Sequence, residues 1–146
     1  YYNKYKGFAE WHNKIVQEVT TTGQLVMPTG RIYTFDRTNR GDWPVTQIKN
    51  YPVQGLGADI MSVARVSFYR RFKEAKIDGY CVNTVHDSIV CDVHESAVEQ
   101  TNKMFQDVFN DLPTNFERVF KVKFDLPLRC EVSIGNNMKE LEEIKV

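Results

Sequence analysis

The stretch Tyr80–Val93 reads YCVNTVHDSIVCDV, and the fold can be worked out from it. Two short runs of apolar and β-branched residues flank the polar tip His86-Asp87-Ser88. Residues alternate on both sides of a turn-prone tip, which predicts a β-hairpin. One face of the first arm would hold Cys81, Asn83 and Val85, and one face of the second arm would hold Ile89, Cys91 and Val93. A His-Asp pair on a rigid support suits presenting a charge to a metal or a phosphate. Asp is also common in surface turns, and the stretch alone favours that interpretation.

The composition is that of a globular protein with one domain. The 146 residues are 42% hydrophobic and 26% charged, which is enough for a real core. Lys and Arg, 19 together, balance 19 Asp and Glu, which argues against a free-standing electrostatic DNA binder but leaves a locally basic groove possible. The apolar runs are too short to span a membrane. Cys81, Cys91 and Cys130 lack metal-site spacing and predict buried, reduced thiols in a cytoplasmic protein.

Upstream of the hairpin, the pattern predicts a helix and another hairpin. Apolar residues recur at helical spacing from Tyr5 to Val19, and Gly23 is suited to a left-handed cap at the helix end. His12 lies on the apolar stripe and is expected to be packed and hydrogen-bonded. Trp11 lies off it and is expected to contact an element outside this chain. Residues 24–27 and 31–35, joined by a Pro-Thr-Gly tip, predict a hairpin.

Two helices are predicted between the hairpins. A short one runs from about Trp43 to Lys49 and breaks at Pro52, because proline disfavours helix at the preceding residue. A long one begins near Gln54, and Gly55 in its first turn, with Gly57, predicts that something large approaches the backbone closely. Its buried face is expected to hold Leu56, Ile60, Val63, Ala64, Phe68, Phe72 and Ala75. Its outer face is expected to hold Asp59, Arg65, Tyr69, Arg70, Lys73 and Glu74.

Downstream, Ser96 and Glu99 fit a capping box before a helix that Pro113 ends. Residues 126–134 alternate like a strand with Leu128, Cys130, Val132 and Ile134 inward, and residues 138–146 predict a short charged helix or a frayed tail. The order predicts an α+β fold, in which an antiparallel sheet made of hairpin 80–93 plus the C-terminal strand packs against helices. The most basic stretch in the first half of the chain contains Arg31, Arg37, Arg40 and Lys49. These side chains would be either solvated surface charges or contacts to a phosphate backbone.

Two motifs then stand together, NYPVQGLGADI at 50–60 and TVHDSIV at 84–90. The pair resembles the C-terminal palm region of family A DNA polymerases, the bacterial DNA polymerase I class that includes many phage enzymes. The first matches the signature N-x-P-x-Q-G-x-x-A-D-I, and the second matches the catalytic V-H-D-E hairpin called motif C. The opening YYNKYKGFAEWH, the MPTGR turn and LPLRCEVSIGNNMKEL are also similar to family segments, so the resemblance spans the chain.

The resemblance implies a single domain over residues 1–146, with a fingers-base helix and hairpin in 1–50 and the palm in 51–146. It implies template-directed DNA synthesis, in a bacterial cell or a phage-infected host. Asp87 would be a catalytic, metal-binding aspartate of a two-metal Mg²⁺ site that a carboxylate outside this chain completes. The partners would be primer–template DNA, dNTP and the upstream part of the polymerase, in the same chain or a separate subunit. The implied DNA-binding residues are His86, Gln54, Asn50, Lys49 and Arg31.

The chain departs from the family pattern in three places. Ser88 stands where the family usually has Glu, and Thr46 stands where it often has Arg. The other catalytic aspartate (motif A) and the fingers helix lie upstream of this region in the family. We therefore expect the isolated 146 residues to be unable to polymerise DNA.

Two other functions compete with this one. Phage-type single-subunit RNA polymerases carry His-Asp-Ser in the corresponding hairpin, which Ser88 favours. The signature at 50–60 favours the DNA polymerase, because it specifies more positions. The chain could alternatively be a non-catalytic DNA-binding or assembly module that kept a polymerase-like fold. Asp87 argues against that module, because a lapsed site has no physical need for a metal-binding carboxylate.

Overall fold

The structure is a computed structural model that describes residues 4–144. Within that range, helices and short antiparallel hairpins alternate along the chain, which confirms the predicted α+β class. The helices are α1 (Lys6–Thr22), α2 (Val45–Glu74), α3 (Val98–Asn110) and α4 (Leu112–Phe120), with a 3₁₀ turn at Glu95–Ala97. The paired strands are β1 (Gln24–Val26) with β2 (Ile32–Thr34), β3 (Gly79–Val85) with β4 (Ser88–Val93), and β5 (Ser133–Ile134) with β6 (Glu142–Glu143).

The chain divides between Asp59 and Ile60 into two compact units. The predicted single domain, with a fingers-base portion of residues 1–50 and a palm portion of residues 51–146, stays a prediction. Of the helices among residues 4–144, none is long and apolar enough to cross a membrane.

The first unit is built on a cluster that joins α1 to the β1–β2 hairpin. The left-handed Gly23 (φ 75°) ends α1 as predicted, and its N–H donates to Val19 O. The buried members of this cluster, called the first-unit core below, are Ile15, Val19, Leu25, Phe35 and Ile48. Trp11 is half-buried and packs against this core, and its contact with an element outside the chain stays a prediction.

His12 is buried, as predicted, with its ring centroid 4.1 Å from that of Phe8 and 5.1 Å from that of Trp11. Burial, helped by the charge of Lys49, lowers the pKa of His12. The lowered pKa favours the neutral imidazole, which suits a ring packed among apolar neighbours.

The predicted helix break at Pro52 was wrong, because α2 continues through it from Val45 to Glu74. Proline inside a helix removes one backbone hydrogen bond and disfavours helical geometry before it. Pro52 is fully buried here, and so is Ile48 one turn earlier on the same helix face. Burial of this face offsets the local cost of the proline, which sequence propensity alone does not reveal.

The second unit is built on the later part of α2, the β3–β4 hairpin and the two following helices. Its buried residues, called the second-unit core below, are Ala64, Phe68, Phe72, Ile77, Ala97, Met104, Val108 and Leu112. Phe68 and Phe105 stack with ring centroids 4.0 Å apart. Ile89, Cys91 and Val93 pack on this core, which confirms the predicted shared face of the second hairpin arm.

The predicted capping box at Ser96 was wrong. Ser96 lies in the 3₁₀ turn, and α3 begins at Val98 without a side-chain cap. His94 takes the capping role instead, because its Nδ1 accepts from the Ser96 N–H at 3.3 Å and lies 2.9 Å from the Ser96 Oγ. Pro113 lies in the first turn of α4, so the preceding helix ends before it as predicted.

The predicted strand over residues 126–134 forms only at Ser133–Ile134, which pair with Glu142–Glu143 and not with hairpin 80–93. The expected helix or frayed tail at residues 138–146 is therefore replaced by β6 at residues 142–143, and residues 145–146 lie outside the described range. The predicted alternation persists in part, because Leu128, Cys130 and Val132 are half-buried, whereas Ile134 is exposed. A strand needs a partner, and the amino-acid pattern specifies only the face that is covered.

Candidate active site

The predicted hairpin around His86 and Asp87 is present, with a tighter tip than expected. β3 and β4 pair antiparallel from Gly79↔Val93 to Val85↔Ser88, so the connection consists of His86 and Asp87 alone. Ser88 belongs to β4, and its Oγ donates to Val85 O at 2.8 Å. His86 has φ 50°, in the left-handed region that His occupies more readily than most residues. The hairpin therefore holds the two predicted site residues next to each other at its end.

Asp87 is exposed at this tip, and the ion pairs found among residues 4–144 do not include it. The described part of the chain has no group of three or more His, Cys, Asp or Glu side chains that could hold a metal. A single carboxylate is a suitable hard oxygen ligand for Mg²⁺ but does not make a site alone. Asp87 is therefore a candidate Mg²⁺ ligand, and completion of the site by a carboxylate outside this chain stays a prediction.

The hairpin is anchored to α2 by an arginine whose role the sequence did not reveal. Arg65 Nη1 donates to Thr84 Oγ1 at 3.3 Å, and Nη2 donates to Ser62 Oγ at 3.1 Å. Arg65 is exposed, as predicted for the outer face of the helix. Its long side chain nevertheless ties α2 to the arm of the hairpin that leads into the tip. Pairing with a distant strand residue leaves no periodic signal in the sequence.

The signature helix exposes two amides. Asn50 and Gln54 lie one turn apart on α2, and both are exposed, so their amide groups can reach a partner. Lys49 is half-buried, and its charge contributes to the lowered pKa of His12. These three predicted DNA-binding residues all belong to the first unit, whereas His86 and Asp87 belong to the second.

Arg31, the remaining predicted DNA-binding residue, forms an ion pair with Asp59. Its Nη2 bonds Asp59 Oδ1, its Nε donates to Oδ2 at 3.3 Å, and Thr29 Oγ1 donates to the same Oδ2 at 2.8 Å. The prediction that Asp59 lies on the outer face was wrong, because this residue is only 7% exposed. Burial acts to raise the pKa of Asp59, but the Arg31 and Thr29 hydrogen bonds and the Arg31 charge outweigh it and lower the pKa.

The close approach predicted at the glycines is made at Gly55 by the protein itself. A Cβ built on Gly55 would lie 1.6 Å from the Tyr33 hydroxyl oxygen and 3.2 Å from Arg31 Cδ. Gly57 is exposed, and a Cβ there meets nothing within 4 Å. The first glycine therefore seats the β1–β2 hairpin on α2. A DNA duplex approaching the second remains a prediction.

The family comparison covers nearly the whole chain. A model of DNA polymerase family A matches residues 1–140. DNA polymerase I of Aquifex aeolicus is 29% identical over 108 residues, which are 73% of this chain and 18% of that protein. The DNA polymerase of Bacillus phage SP01 is 23% identical over an alignment that covers all of this chain and 16% of that protein.

A solved structure shares the fold. It is the polymerase domain of Pol1 from M. smegmatis in complex with DNA primer–template and dNTP, with a TM-score of 0.67 and 19% identity over 77% of this chain and 21% of that one. This chain therefore has a fold similar to part of a polymerase domain. The chain belongs to DNA polymerase family A. It spans less than a fifth of the length of the two curated relatives described above.

Proposed function

We propose that this chain forms the C-terminal part of the palm in a DNA-directed DNA polymerase. The enzyme would transfer nucleotides from dNTPs to a primer 3′-OH under the direction of a template. The observation that carries the proposal is the exposed Asp87 on a two-residue hairpin turn, in a chain that matches the family over residues 1–140. A rigid two-stranded support is what a catalytic carboxylate needs to keep its position during the reaction.

The proposed chemistry assigns this chain one carboxylate of the catalytic site. Asp87 would hold Mg²⁺ together with a carboxylate that lies outside these 146 residues. Two metal ions held there would supply Lewis-acid chemistry, which would activate the primer 3′-oxygen and stabilise the charge on the leaving pyrophosphate. Asp87 suits this role because Mg²⁺ prefers oxygen ligands and is usually bound by only one or two protein carboxylates, with water completing its coordination. His86, next to it in the turn, would contact the primer terminus.

The proposed DNA contacts divide by chemistry. The exposed amides of Asn50 and Gln54 suit the minor groove, which presents acceptors common to all base pairs and so allows a check of shape without reading sequence. Lys49 and Arg31 would contact phosphates, which position the duplex. The Asp59 ion pair holds the Arg31 guanidinium in a fixed place, and partial exposure of the Arg31 side chain leaves it accessible.

Primer extension by the complete polymerase tests the role of Asp87. Asp87→Asn should lower the extension rate by more than about 100-fold while largely retaining DNA binding, because loss of a direct metal ligand exceeds the loss of a supporting group. Asp92→Asn is the matched control, since Asp92 is an exposed carboxylate on β4 of the same hairpin. A wild-type rate for Asp87→Asn would support the non-catalytic module instead.

Two further assays separate the alternatives. The complete enzyme should prefer dNTPs to rNTPs, and the reverse preference would favour an RNA polymerase with the His-Asp-Ser turn. Residues 1–146 alone, with Mg²⁺, should extend no primer, because the described residues supply a single candidate carboxylate at the hairpin tip. Extension above a no-protein control would contradict that part of the proposal.

A further inference from the structure

Two cysteines face each other across the hairpin, away from its catalytic tip. Cys81 on β3 and Cys91 on β4 are direct partners in the ladder, and their sulfur atoms lie 3.8 Å apart. Directly opposed residues of an antiparallel pair have Cα atoms about 4.5–5.5 Å apart, within the range of about 4.4–6.8 Å that disulfides require. The backbone is therefore already placed for a bond, and only the side chains have to turn.

The two thiols differ in their surroundings. Cys81 is exposed, which overturns the prediction of a buried thiol at this position. Cys91 is half-buried and packs on the second-unit core, and its Sγ donates a weak hydrogen bond to Cys81 Sγ. Burial, together with the charge and the hydrogen bond of Cys81, raises the pKa of Cys91 to about 12. Cys81 is therefore the thiol that an external reagent reaches first, and Cys91 is the less accessible thiol beside it.

We propose that Cys81 and Cys91 are a reversible disulfide site, in which Cys81 attacks an external small-molecule disulfide and Cys91 resolves the product. In the first step Cys81 loses its proton to solvent and its sulfur attacks one sulfur of the reagent RSSR. A mixed disulfide forms on Cys81, and RS⁻ leaves and takes up a proton. Cys91 then loses its proton and attacks Cys81 Sγ, which expels the second RS⁻. Two protein thiols are oxidised and one RSSR is reduced to two RSH.

The bond would fix the hairpin at a point where its ladder is irregular. The register shifts between Cys81 and Asn83, which leaves Val82 as the extra residue of a bulge. A cross-link beside the bulge would restrict the arms from changing register, and the turn at His86 and Asp87 would lie within the loop that the bond closes. The modification would therefore stiffen the support of the candidate active site without occupying it.

Oxidation of the 146-residue chain with oxidised glutathione tests this proposal. After alkylation of the remaining thiols and digestion without reductant, the Cys81 and Cys91 peptides should be linked, and Cys130 should be alkylated. The Cys130→Ser variant is the matched control and should form the same link. The same reaction in denaturant gives the reference distribution, in which all three pairings occur. Persistent free thiols at Cys81 and Cys91, or the denatured distribution under native conditions, would overturn the proposal.

The order of the two steps has its own readout. Cys91→Ser should stop the reaction at a glutathione adduct on Cys81, and Cys81→Ser should leave Cys91 largely unmodified. Equal adduct formation in the two variants would contradict the assigned roles. If either variant fails to fold, the link found in the wild-type chain and in Cys130→Ser still decides whether the site exists.

Discussion

Gly55 and Gly57 lie two residues apart in α2, and a methyl group would meet opposite surroundings at the two positions. Gly57→Ala should stabilise the first unit by about 0.5–1 kcal/mol, because alanine is the better helix former and the space is open. Gly55→Ala should destabilise it by about 1–2 kcal/mol, because displacement of Tyr33 outweighs the same helix gain. Urea unfolding followed by tryptophan fluorescence measures both, since Trp11 and Trp43 pack against the first-unit core.

The test depends on whether the two alanine variants change the free energy of unfolding of the first unit in opposite directions. If both alanines stabilise the first unit equally, Tyr33 does not depend on the missing Cβ of Gly55. The same comparison separates a structural requirement for the signature's first glycine from any requirement for DNA, because no DNA is present in the measurement.

The Arg31–Asp59 pair provides a second prediction at the scale of single residues. Arg31→Met keeps much of the side-chain stem but leaves the buried Asp59 carboxylate without its ion-pair partner. It should cost about 1–3 kcal/mol, below the range for fully buried pairs because Arg31 is partly exposed. Asp59→Asn should cost a similar amount, and the double variant should cost less than the sum of the two. Additivity within about 0.3 kcal/mol would show that the two residues are uncoupled.

Asp59 also shows where prediction from the sequence stops at this scale. Helical periodicity placed it opposite the apolar positions, and a carboxylate is rarely buried without a partner. Its partners, Arg31 and Thr29, come from the β1–β2 hairpin, about 30 residues earlier in the chain. Such a non-local pair leaves no signal in the local pattern. By contrast, the turn that exposes Asp87 was predictable because its own neighbours encode it, whereas the metal-binding role of Asp87 rests on the family resemblance and stays a prediction.

At the scale of elements, the sequence predicted those whose hydrogen-bond partners are local. Both long hairpin arms and the end of α1 at Gly23 follow from alternation, turn residues and a glycine cap, and all of these lie within a few residues of the element. The prediction for α2 was wrong at Pro52, because the continuity of the helix through this proline depends on burial against residues distant in the sequence. The prediction for the C-terminal strand was too long and gave it the wrong partner, because alternation identifies a covered face but not a strand partner.

At the scale of the whole molecule, the two units respond to opposite ends of the pH range. Among the described residues whose pKa is shifted, His12, Arg31 and Asp59 lie in the first unit, and Cys91 and Cys130 lie in the second. Arg31 stays charged throughout. The acidic range therefore acts on the first unit through His12 and Asp59, and the alkaline range acts on the second unit through its thiols.

The acid effect has a definite sign. The folded pKa of His12 is lowered, so the unfolded chain, with His near 6.5, binds a proton more readily. The free energy of unfolding of the first unit should therefore decrease as the pH falls below about 6.5. The Asp59 contribution is complete above its unfolded pKa, near 3.9, and is lost as the pH falls through its lower folded pKa. Tryptophan fluorescence during acid unfolding reports this loss, and His12→Phe should remove its first phase.

The alkaline effect has the opposite sign and a different location. Burial raises the pKa of Cys91 to about 12 and also raises that of Cys130, whereas unfolded thiols ionise near 8.5. Stability of the second unit should therefore be complete below about pH 8 and decrease as the pH rises towards 12. Side-chain methyl NMR signals of Val108 and Leu112, both in the second-unit core, measure it because methyl protons do not exchange with water, and Cys91→Ala should reduce the loss. Alkaline loss of the tryptophan signal before the loss of these methyl signals would contradict the assignment of the thiol effect to the second unit.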